Sequence, residues 1–251
     1  MCPLDGEGKP KLGFVHWPYL KVLEVECVPP WLAAIPPRDD PRDALIVKPG
    51  LPYTSLKELP EGAILRRLYI DLRFANIRGN VETRLAKVDK PDSEYTCMII
   101  SVAGLERVSL KYRINQYLQS KNGGIFHAVG QGALGLEIRK GDTKMQKVID
   151  QLGDRKSTLA CLAERSLMRT LEGGCSVPIG VETEWIHPED LKMKAIVVSL
   201  DGSEGVEDSL EGSVQTIDDA MALGKEMAAR LVKAGAEAIL KDINMSRPSK
   251  D

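Results

Sequence analysis

The sequence predicts an α/β protein with a compact α+β domain at its C-terminal end. Three observations lead there. Strand-like and helix-like segments alternate from residue 42 to about 125. An apolar helix then runs into a two-glycine loop at Gly173-Gly174, and strand-like segments closed by a long capped helix follow it. Alternation of the first kind argues for a mostly parallel sheet with helices on its faces.

Residues 1–41 hold Pro29, Pro30, Pro36, Pro37 and Pro41 with little periodicity, and read as irregular chain with one strand near Leu20–Val25. In 42–125, Leu72–Ile77 is a strand, Asn80 caps a short helix through Lys87, and Tyr95–Val102 is a strand apolar on both faces. A second helix opens near Gly104. Gly123-Gly124 and the spaced Gly130, Gly132 and Gly135 mark 126–150 as a crossover. In 151–251, Asp154 or Ser157 caps a helix whose apolar face is Leu159, Leu162, Ala163, Leu167 and Leu171. Strands are expected near Val177–Thr183 and Met193–Leu200, then an Asp201-Gly202 turn and a further strand. The final long helix follows Thr216, with Asp219 completing a variant capping box and Ile217, Met221, Met227 and Leu231 on one face.

Bulk properties narrow the function classes. At 251 residues, 43% hydrophobic and 28% charged, the chain is long enough for a real core. A net charge of −2 gives no electrostatic footprint for nucleic acid or membrane, and no apolar run reaches spanning length. The Arg66-Arg67 pair has no aromatic stacking platform around it. Met1 to Lys11 reads as a polar leader without a signal-peptide pattern. Cys2, Cys27, Cys97, Cys161 and Cys175 are odd in number and widely spaced, as are His16, His127 and His187; neither a disulfide framework nor a metal site is expected. A reducing, cytoplasmic setting fits.

Two features carry chemistry. Arg78 ends a strand, Gly79 turns the chain, Asn80 caps and Arg84 lies on the first turns of the helix, while Arg107 follows Gly104 at the next junction. Helix N-termini and guanidinium groups both hold anions, and in open α/β sheets ligands sit at the carboxyl ends of strands. The alternative is surface pairing with Glu82 and Glu106. Cys175, on the loop Gly173-Gly174-Cys175-Ser176, is the second feature. It follows a helix C-terminus, which disfavours a thiolate, so an activated protease-type nucleophile is not indicated. A buried structural thiol and a soft thiol that captures one carbon electrophile both remain; the flanking glycines favour exposure.

Five ordered motifs then point to a family. They are Ile35-Pro36-Pro37-Arg38-Asp39-Asp40-Pro41-Arg42-Asp43-Ala44, Ile77 through Arg84, Val102-Ala103-Gly104-Leu105-Glu106-Arg107, Ala128 through Arg139, and Ala163-Glu164-Arg165 with the cysteine loop. Together they resemble hydroxymethylbilane synthase, also called porphobilinogen deaminase. The resemblance implies periplasmic-binding-protein-like lobes, the first largely missing and left as an irregular remnant in 1–41 and a remaining segment in 126–150, with the second in 42–125, plus the C-terminal α+β domain in 151–251. It implies a dipyrromethane cofactor joined to Cys175 by a thioether, with Arg78, Arg84 and Arg107 meeting its carboxylates. It further implies a cytoplasmic monomer of tetrapyrrole (heme) biosynthesis that polymerises four porphobilinogen units with release of ammonia.

Two departures weigh against full activity. The family's Arg-x-Ser-x-Leu-Ala and Val-His-Ser-Leu-Lys-Asp motifs are absent; Val15-His16 runs into Trp17-Pro18, so no residue takes over the catalytic aspartate. After Ile64 the family's Gly-Thr-Ser-Ser-x-Arg-Arg turn is also absent, and Arg66-Arg67 match a later basic pair. Losing a strand end from a central sheet should leave backbone groups unpaired. The expectation is an impaired enzyme; the alternative is an inactive fragment or a binding protein for anionic pyrroles.

Overall fold

The structure, a computed structural model, describes residues 11–14, 32–58, 73–139, 141–171 and 178–245. Leu20–Val25, the Ile64–Leu65 join, Arg66-Arg67 and the loop bearing Cys175 lie outside them. The described residues divide between two compact units. The first lies within Met1–Pro18, Asp40–Ile125 and Asp201–Ser203, the second within Tyr19–Asp39, Phe126–Leu200 and Glu204–Asp251.

The first unit is a mixed five-stranded sheet with helices on one face. Its strands are β1 (Lys11–Phe14), β3 (Asp43–Val47), β4 (Arg73–Asn76), β5 (Tyr95–Ser101) and β6 (Gln116–Leu118), in the order β4-β1-β5-β3-β6. β1 is parallel to β4 and β5, and β3 is antiparallel to β5 and β6, so β3 alone among these five runs against the rest. The parallel expectation therefore holds for four strands. Helix α1 (Val81–Asp89) carries the chain from β4 to β5 and returns it to the same end of the sheet. Among the described residues no helix leads into β3 in this way.

Alternation splits the strands between two cores. Leu45, Val47, Cys97 and Ile99 meet Leu56, Leu118 and Ile125 on one face. On the other, Ala44, Ile46, Met98 and Ile100 meet Val81, Leu85 and Val88 of α1 and Val102 and Leu105 of α2 (Val102–Arg107). Each large apolar side chain sealed this way contributes about 1.5–3 kcal/mol. The expected opening of α2 near Gly104 is corrected: Ser101 is the cap, its Oγ accepting from the Gly104 N–H at 3.2 Å, and the glycine sits inside the helix.

The second unit packs helices on the antiparallel sheet β10-β9-β8, built from β8 (Ile179–Trp185), β9 (Asp190–Val198) and β10 (Gly205–Ser213). Helix α4 (Arg155–Thr170) is capped by Asp154, whose carboxylate accepts from the Ser157 N–H at 2.7 Å. The five apolar positions read from its spacing are all buried. Helix α5 (Ile217–Leu231) opens with the Thr216–Asp219 capping box, and Gly235 at φ +112° bends the chain into α6 (Glu237–Met245). The face expected of α5 needs correction. Met227 and Leu231 are buried, but Ile217 is 47% exposed; the covered stripe is Ala220, Leu223, Gly224, Met227, Ala228 and Leu231. The partner helix selects that stripe. A Cβ on Gly224 would stand 2.2 Å from the Ala163 carbonyl oxygen, so α4 and α5 touch backbone to backbone. A small sheet of β2 (Leu32–Ala34) and β7 (Leu136–Glu137), with α3 (Thr143–Ile149) beside it through Gln146, completes the unit.

Candidate functional site

In the first unit, β4 leads through Arg78, Gly79 and Asn80 into α1 as its residues predict. Gly79 has φ +127°, and a Cβ there would meet Thr83 Cγ2 at 2.9 Å, so the turn requires glycine. Asn80 Oδ1 accepts from the Thr83 N–H at 2.8 Å, and Lys87 Nζ donates to the Arg78 carbonyl at 2.7 Å. The turn is held from both sides while the Arg78 side chain stays exposed. Arg84 lies one turn into the helix, 8% exposed beside Val81, Leu85 and Val88, and burial lowers its pKa.

Arg107 departs from expectation. It is the last residue of α2, so the N-terminal field of that helix acts at its far end; α2 is six residues, about 9 Å of axis. Its side chain is exposed. Glu106 takes Lys111 at 2.5 Å as an ion-pair partner. The β4–α1 and β5–α2 junctions lie at the same end of the sheet, because the register sets Phe14 beside Asn76 and Ile99 near the ends of β4 and β5.

Cys175 lies outside the described residues, together with Gly173-Gly174. Two other thiols are described: Cys97 and Cys161 are buried and not disulfide-bonded. Burial pushes the Cys161 thiol up to about 12 despite the opposing charge of Arg38, so it is no nucleophile at neutral pH. Among the described residues no cluster of histidine, cysteine and carboxylate side chains could hold a metal ion, and no helix is long and apolar enough to cross a membrane.

Sequence reasoning missed the polar centre of the second unit. Glu164, fully buried on α4, accepts from Arg38 Nη1 at 2.7 Å and Nη2 at 3.0 Å, from the Gly130 N–H at 2.8 Å and from Thr183 Oγ1 at 2.6 Å. Arg38 also donates through Nε to the Gln131 carbonyl at 2.8 Å and through its N–H to Ser157 Oγ at 2.9 Å. Burial opposes the charge on Glu164, but Arg38, His127 and the donated hydrogen bonds outweigh it and bring its pKa down to about 2. His127 is buried beside the pair; burial lowers its pKa, and Nδ1 lies 3.1 Å from the Ala128 carbonyl. Three of the sequence motifs thus converge on one carboxylate. A signal existed: Glu164 shares a helix face with Ala160, Cys161, Leu167 and Met168, all buried.

The comparisons with known proteins agree with these motifs. A family model described as "Porphobilinogen deaminase, dipyromethane cofactor binding domain" matches residues 30–147, and one described as "Porphobilinogen deaminase, C-terminal domain" matches 158–233. A porphobilinogen deaminase of Saccharomyces cerevisiae is 48% identical over 229 residues, covering 86% of this chain and 69% of the relative. That of Yarrowia lipolytica is 48% identical over 225 residues, with 85% and 66% covered. That of Neurospora crassa is 46% identical over 235 residues, with 87% and 69% covered. The chain therefore spans about two thirds of the length of these relatives. With both domain models matched and almost half the aligned residues shared, the chain belongs to the porphobilinogen deaminase family, the hydroxymethylbilane synthases.

Proposed function

We propose that this chain is a hydroxymethylbilane synthase that binds dipyrromethane through a thioether at Cys175 and polymerises porphobilinogen poorly. Arg78 carries the reading: an exposed guanidinium on a turn whose glycine and cap are both required, at the carboxyl edge of a strand. The cofactor's chemistry fits the donors present. Acetate and propionate groups ask for guanidinium partners; Arg78 and Arg84 supply two at the β4–α1 junction, and Arg107 a third at the far end of α2. Arg84 is half committed already, since its charge is buried and an anion brought to it would raise its lowered pKa. When bound, the dipyrromethane supplies a pyrrole end to which substrate units are joined. The protein's own part is to hold carboxylates and keep the growing chain in place.

Impairment follows from the missing aspartate, for which Trp17-Pro18 offers no replacement. The first unit is read as a periplasmic-binding-protein-like lobe, supported by its mixed α/β sheet with the ligand edge at the strand ends. A monomer in a cytoplasmic setting, without nucleic acid or membrane partners, accords with the near-neutral charge and the two buried cysteines that form no disulfide.

The test is intact-mass measurement after incubation with porphobilinogen, with uroporphyrin-forming product measured in parallel. An adduct that disappears in Cys175→Ala, with turnover at least a hundred-fold (about 2.7 kcal/mol in barrier) below the Saccharomyces cerevisiae relative, is expected. Turnover equal to that relative refutes the impairment. A second reading, a binding protein that retains anionic pyrroles without polymerising them, is favoured by the same missing aspartate. It predicts porphobilinogen binding without an adduct.

A further inference from the structure

β4 and β5 are consecutive strands joined by α1, yet they are not neighbours in the sheet. The slot between them is filled by β1, a strand contributed from the start of the chain, roughly sixty residues upstream of β4. Lys11 to Phe14 pair in parallel with Arg73 to Asn76 on one side and with residues from Tyr95 to Ile99 on the other. Among the described strands, β4 touches the sheet through β1 alone, whereas β5 is also held by β3.

We propose that Lys11–Phe14 is a donor strand whose insertion between β4 and β5 sets the separation of the arginine-bearing junctions. Neighbouring strands lie about 4.8 Å apart, so an inserted strand holds β4 and β5 about 9.6 Å apart. Without it, direct pairing of β4 with β5 would bring the Arg78 turn about 4.8 Å closer to the start of α2. A two-point guanidinium–carboxylate grip works over hydrogen bonds of about 2.8 Å and does not survive such a shift. The strand therefore acts as a positioning element. That role rests on the reading of Arg78, Arg84 and Arg107 as carboxylate holders; the insertion itself does not.

Successive residues of a strand aim their N–H groups at opposite neighbours, so Leu12→Pro and Gly13→Pro each remove one ladder bond, from different sides. Hydrogen exchange is measured on the full chain carrying Cys175→Ala, which takes cofactor loading out of the readout. The backbone N–H groups of residues 12–14 should be protected in that chain. Each proline should speed exchange at least ten-fold at those of Phe74–Asn76 that face β1, and change Met98 and Ile100 less than three-fold, since their N–H groups point to β3. Adding a synthetic peptide of residues 8–16 should restore protection at Phe74–Asn76. Exchange of residues 12–14 at unstructured rates in the unsubstituted background, with β4 and β5 still protected, overturns the insertion and needs no variant to fold. With Cys175 intact, the adduct yield should fall at least ten-fold in the proline variants. An unchanged yield beside a loosened β4 overturns the spacing role. A parent chain that forms no adduct removes that role too, while the exchange data still decide the insertion.

Discussion

Arg38 and Arg78 carry the same charged group and are used in opposite ways, as are the units that hold them. Arg38 spends its donors inside the second unit on Glu164 and Gln131 and is sealed there. Arg78 leaves its guanidinium in solvent and uses its carbonyl to fix a turn. In the second unit consecutive elements pack on one another through hairpins, caps and a helix pair in backbone contact. In the first, a sheet drawn from distant parts of the sequence ends in charged, exposed turns. A cation already answered by its own fold serves stability; one left at a strand end is available to a ligand.

The sharpest way to break this contrast is Glu164→Ala. It leaves Arg38 buried opposite a lost partner and should cost about 3–5 kcal/mol in urea unfolding. Removing one donor to the same carboxylate is milder: Thr183→Val should cost about 1.5–3 kcal/mol by the same measurement. Gly224→Ala should lower the thermal midpoint by an amount equivalent to about 1–3 kcal/mol, because the added methyl meets the Ala163 carbonyl, although alanine is intrinsically the better helix residue.

Acid titration tests the polar centre as a whole. His127 and Glu164 both have folded pKa values below their ordinary ones, so each contributes stability at higher pH that is lost on acidification. Loss should begin below the ordinary histidine value of 6.5 and steepen as pH falls from 4.5 to about 2, with the second phase absent in Glu164→Gln. The smallest stability effect belongs to the other unit. Arg78→Gln should change unfolding by no more than about 0.5 kcal/mol and yet reduce cofactor adduct in the mass spectrum.

What the sequence disclosed was local. The Asp154 and Asn80 caps, the Thr216–Asp219 box, the five buried positions of α4 and the Arg78-Gly79 turn each depend on residues within a few positions of one another. What stayed hidden depends on distance along the chain. Arg38 and Glu164 are 126 residues apart, and no nearby pattern announces the pair. β1 is four residues long, too short for a period-two signal, and its partners lie some sixty to eighty residues away. The buried stripe of α5 was misjudged because Ile217 and Met221 are as apolar as their neighbours; the close approach at Gly224 decides which are covered. Arg107 was misplaced for a similar reason: Gly104 looked like a helix start, whereas Ser101 had already provided one.

The sealed sulfurs of Cys97 and Cys161 offer a gauge for later work. Of five thiols in the sequence, these two cannot meet a water-soluble dye in the folded chain, so native labelling should saturate at three or fewer equivalents. Denaturant would release the remainder, and the size of that step reports, sample by sample, how much of a preparation is folded.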